Sequence, residues 1–166
     1  MIVNSFYSKN LLLISFLLIA NASFSQDISF KTSNFKENKQ ELRLAKENIA
    51  VADKMRDKGI DNILAMKEDN ILFLKAIFYY NMAQDFNPYN AELNYKIGSC
   101  YLFTNQKEKA AGYFSKVMEL TTDYPEDFLF YYAMTLQLQG DYLQAVEQFE
   151  QFKFTARSKV YERYEV

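Results

Sequence analysis

The chain has 166 residues with no histidine, no tryptophan, one cysteine, two prolines and four glycines. Each shortage closes a route. Without histidine, the commonest general base and metal ligand is missing. A lone cysteine, Cys100, can form neither an intrachain disulfide nor a thiolate metal site. So few prolines and glycines argue against a loop-rich or all-β protein. An excess of either charge is lacking too: 19 Lys and Arg stand against 21 Asp and Glu, a net charge of −2. No basic cluster breaks the alternation, so the electrostatic footprint of a nucleic-acid binder is absent. No nucleophile motif, phosphate loop or ligand spacing appears. The expectation is a non-enzyme with no metal, no cofactor and no nucleic-acid partner.

What is present is apolar and aromatic. Hydrophobic residues make up 49% of the chain, with 13 Tyr and 15 Phe. That supports one modest domain with a real core.

The first 25 residues read as a secretory signal peptide. Lys9 precedes an uncharged stretch from Leu11 to Ala20, and small residues follow. The stretch is too short for a comfortable membrane span. Cleavage is expected after Ala22 or after Ser25, the second leaving Gln26 first; an uncleaved membrane anchor is the alternative. The ending Ser23-Phe24-Ser25-Gln26 resembles that of exported Bacteroidetes proteins. With no cysteine directly after the apolar stretch, a lipid anchor is not expected. Residues 26–38 are polar with isolated aromatics and read as a flexible lead-in. Ser33 or Asn34 is a candidate cap for the first helix.

Helical periodicity then runs almost to the end. Leu42, Ala45, Ile49, Ala52 and Met55 mark a first helix within 40–66, with Gly59 a candidate C-cap. Residues 70–86 are strongly apolar and form a second helix, ended at Pro88. Residues 91–104 and 107–120 form a pair, broken at Thr104-Asn105-Gln106. Residues 127–139 and 142–154 form another, joined at Gly140-Asp141. Residues 155–166, with Val160, Tyr161 and Tyr164, read as a capping helix or the start of a further repeat.

These pairs share a spacing. Ala76-x-x-x-Tyr80, Ala110-x-x-x-Phe114 and Ala145-x-x-x-Phe149 recur 34 and then 35 residues apart. Gly98, with Tyr101 three residues on, is matched 35 residues later by Ala133. Ala83, Pro88, Gly140 and Tyr142 complete the pattern. It resembles the tetratricopeptide repeat (TPR) signature. The fold expected is all-α: a TPR-type α-solenoid of about three helical hairpins. A divergent repeat over 40–88 is followed by repeats over 89–123 and 124–154. The small residues are read as packing positions, and Cys100 as a buried, inert thiol.

The resemblance implies a concave groove lined by the first helix of each repeat. Tyr95, Ser99 and Leu102 should face it in the second repeat, and Phe130, Met134 and Gln137 in the third. A groove of this kind receives a protein partner or peptide segment. The Lys and Asn clamp that some TPR domains use for a C-terminal carboxylate is not matched, so chaperone-tail binding is not expected. A signal, a divergent repeat and then TPRs also resemble the front of Bacteroidetes OmpA-family outer-membrane proteins. Those continue into cell-wall-binding parts and include relatives in type IX secretion and gliding. The function expected is an exported interaction scaffold, periplasmic or outer-membrane associated. Membrane contact would be indirect or through a parent envelope protein.

Overall fold

A computed structural model gives the fold and describes residues 26–67 and 70–156. The signal peptide, both cleavage sites, Glu68, Asp69 and the pattern from residue 157 onward lie outside the described residues. Six α-helices follow one another, and no strand occurs among the described residues. They are α1 (Lys39–Leu64), α2 (Ile71–Phe86), α3 (Ala91–Leu102), α4 (Ala110–Leu120), α5 (Phe128–Gln139) and α6 (Tyr142–Thr155). Helix α1 pairs with α2, α3 with α4, and α5 with α6. Helix α2 also packs on α3, and α5 rests on both α3 and α4.

The core follows the repeated small residues. Ala76, Ala110 and Ala145 hold matching places in α2, α4 and α6, and all three are buried. Gly98 and Ala133 do the same in α3 and α5. A Cβ on Gly98 would stand 3.1 Å from both Tyr113 and Phe114, so the missing methyl sets how closely α4 approaches. Ala83 and Tyr80 are buried on α2, and Tyr101 stacks on Tyr113. Rings then run through the molecule in hairpin order. Phe73 lies 4.8 Å from Phe103, Phe103 lies 6.0 Å from Tyr131, and Phe130 lies 5.5 Å from Phe152. Stacked and edge-to-face pairs at such separations add to the stabilisation of area burial.

Four local expectations change. Gly59 does not end a helix; α1 continues through it for 26 residues, about 39 Å at 1.5 Å per residue. The ring of Phe73 lies over the place a Cβ would take, 2.8 Å from it. The glycine therefore admits α2 to the surface of α1. The left-handed residue that stops α1 is Met66, at φ 54°. The Met66 N–H bonds to the Ile63 carbonyl and the Lys67 N–H to the Asn62 carbonyl, a Schellman pair. Gly140, at φ 86°, heads the same motif after α5, as the sequence suggested.

Second, Asn38 rather than Ser33 or Asn34 precedes α1, and it makes no side-chain cap bond. Ser33 and Asn34 lie in a 3-10 turn, from which the Asn34 amide donates to the Ser29 carbonyl. Third, Tyr142 is an exposed helix-start residue and does not pack, and Pro88 sits exposed in the turn after α2. Phe149 is half-buried beside Phe130.

Fourth, the lead-in is tied down. The Ile28 N–H donates to the Tyr89 carbonyl at 2.7 Å. The Ile28 carbonyl accepts from the side-chain amides of Asn87 at 2.7 Å and Asn90 at 3.1 Å. The Asp27 carboxylate takes the N–H of Ala91, the first residue of α3. A carboxylate there meets the positive end of the helix. Phe30 and Phe35 close over Phe86. The corner Asn87-Pro88-Tyr89-Asn90 thus reads the backbone of the arm, while the Asn90 oxygen caps α3 through the Leu93 N–H.

Candidate binding groove

The six groove positions divide. Tyr95, Ser99 and Leu102 are all buried on α3, Tyr95 and Leu102 in the hydrophobic core. Phe130 and Met134 are half-buried and Gln137 is exposed. The groove therefore does not run open across the second hairpin as the register implied.

What fills it is Arg56 of α1. Its Nε donates to the Ser99 hydroxyl at 3.3 Å, and a terminal nitrogen donates to the Tyr95 hydroxyl at 3.4 Å. The guanidinium carbon also stands 5.7 Å from the Tyr95 ring centre. Tyr95 in turn donates to the Asp127 carboxylate at the head of α5, at 2.5 Å. Its ring meets those of Phe114, Phe128 and Tyr131 at 6.1–6.5 Å. One tyrosine thereby joins α1, α4 and α5. Spacing along α3 could show which face Tyr95 lies on. It could not show that an arginine 39 residues earlier arrives there.

A second polar set lies beside it. Tyr80 donates to Asp53 at 2.6 Å. Lys96 reaches the same carboxylate at 3.0 Å and pairs with Glu92 at 3.0 Å. A small cleft of about 250 Å³ opens here between α1, α3 and the arm, lined by Ser29, Phe30, Asp53 and Lys96 among others. Sequence reading missed Asp53 and Arg56. Both sit among the many charged residues of α1, and only the folded neighbours distinguish them.

The chemistry of both sets is to hold protons in place. Burial, helped by the Asp127 charge, pushes the Tyr95 hydroxyl well above its ordinary range. Burial and then the Cys100 and Asp53 neighbours do the same for Tyr80. Both phenols remain donors at neutral pH. Burial pushes the Cys100 thiol up to about 12, so it stays a protonated, fully enclosed thiol. A pair such as Lys96 and Glu92, with the carboxylate in water, contributes little to stability.

The third hairpin offers the accessible surface. Helix α5 is apolar over most of its circumference, with Phe128, Tyr131, Ala133 and Leu136 turned inward. On its other side Phe130, Met134 and Gln137 keep the spacing of one helix face. Phe130 is backed by Phe149 and Phe152 of α6. These two rings hold the Phe130 ring in place. Among the described residues, no helix is long and apolar enough to cross a membrane. No protein-family model, no curated protein and no solved structure matches this chain.

Proposed function

We propose that the chain is a non-enzymatic interaction scaffold, built as a short TPR-like stack, that holds a partner's segment against α5. The buried alanines at a common spacing, and hairpins that pack in chain order, support the stack. The uncharged stretch at Leu11 to Ala20 supports export, and so a partner in the cell envelope. The observation that carries the binding role is α5 itself. A largely apolar helix is normally covered, and here Leu138 is 55% exposed while Phe130 and Met134 are only half-buried. Arg56 closes the second hairpin's share of the groove, so the binding surface is short. It fits a peptide or a single helix rather than a broad face.

The test is capture from an envelope extract by the parent chain and by Phe130→Asp, with circular dichroism confirming that the variant stays helical. The expected result is loss of the captured proteins in the variant. Recovery of the same proteins by a folded Phe130→Asp chain would overturn the reading.

A further inference from the structure

Helix α2 has the same two-sided apolar character as α5, on the other element pair. Phe73, Ala76, Ile77, Tyr80 and Ala83 face the core. Ile71, Leu74, Phe78 and Met82 form a second stripe, and they are 57%, 39%, 62% and 45% exposed. Their spacing of three, four and four residues keeps them on one face over three turns. A continuous exposed stripe of large side chains marks a contact surface.

The charges around the stripe say what kind of contact. Asp85 lies on the same face, one turn beyond Met82, and Lys75 flanks its beginning; both are exposed. The face is thus positive at its start, where the helix dipole adds to Lys75, and negative at its end. A second copy laid antiparallel matches this face to itself. Each Asp85 then meets the start of the other helix, Leu74 meets the partner's Met82, and Phe78 lies near the two-fold axis. A parallel copy would set Asp85 against Asp85. We infer that the exposed stripe of α2 is a self-association surface, on which two copies of this chain pack α2 against α2 in antiparallel fashion. An isologous contact of this kind closes on itself and leaves the α5 face of each copy free. It does not depend on the binding role given to α5.

The experiment places a cysteine at the axis. Cys100 is fully enclosed, so an introduced thiol is the only reactive one among the described residues. In the full chain, Phe78→Cys should link into a covalent dimer under mild oxidation, while Leu143→Cys, on the 90% exposed start of α6, should not. Equal linking of the two variants, or no linking of Phe78→Cys at a concentration where sedimentation finds that variant dimeric, would overturn the inference. Sedimentation supplies the second arm. Phe78→Glu should weaken the dimer by at least roughly tenfold, as removal of a central aromatic anchor does. Lys75→Glu should weaken it less, and adding Asp85→Lys should recover part of that loss, since the helix dipole is unchanged. A dimer unchanged in Phe78→Glu would count against this surface. Phe130→Asp should leave the dimer intact, so the fate of the α5 reading does not decide this one.

Discussion

Three glycines in helices face three different neighbourhoods, and they allow competing effects to be ranked. Replacing a helical glycine with alanine gains roughly 1 kcal/mol of propensity. Overpacking a close contact costs about 1–3 kcal/mol. At Gly112 nothing lies within 4 Å of a new Cβ, so propensity acts alone. At Gly98 the nearest atoms stand at 3.1 Å, and the two effects should nearly cancel. At Gly59 the Phe73 ring stands at 2.8 Å and is itself buried, so the clash should win. Urea unfolding should therefore rank Gly112→Ala above the parent, Gly98→Ala near it and Gly59→Ala below it. A stabilised Gly59→Ala would contradict the approach of α2 to α1. The same residues show where sequence reading works. Gly98 was legible because its period partner Ala133 is also small. Gly59 was misread because a glycine after a periodic run looks like a helix stop; the crossing of Phe73 is a tertiary fact.

At the scale of elements, the helices were legible and their attachments were not. Periodicity placed α2 to α6 to within three residues of their ends, while the stop expected at Gly59 cut α1 short. Residues 26–38 read as a flexible lead-in because their composition is polar. In the structure the Asp27 carboxylate and the Ile28 backbone are bonded at the Asn87–Asn90 corner. Asn90 is the residue common to the cap of α3 and the arm. Loss of a helix cap costs about 1 kcal/mol, and loss of a hydrogen bond to the arm adds a similar amount. Asn90→Ala should thus destabilise by about 2 kcal/mol. Hydrogen exchange should show the Ile28 and Leu93 amides exposed together. If Leu93 loses protection and Ile28 keeps it, the cap and the arm are independent and the corner does not join them.

The molecule as a whole is an ordered series of hairpins, each packed on its neighbour, with α1 and α6 sharing no extended contact. The shared period made that order legible, since residues 34 or 35 apart take the same role. The closed second stretch of the groove was illegible, since it depends on Arg56 crossing from α1. Both proposed surfaces depend on the order of hairpins, because it leaves one side of α5 and one side of α2 uncovered. Aromatic nuclear Overhauser contacts test it most directly. Ring-to-ring signals should connect Phe73 with Phe103, Phe103 with Tyr131, and Phe130 with Phe152, and none should join Phe73 to Phe152. A Phe73–Phe152 contact in the folded chain would mean a closed bundle and would contradict the series.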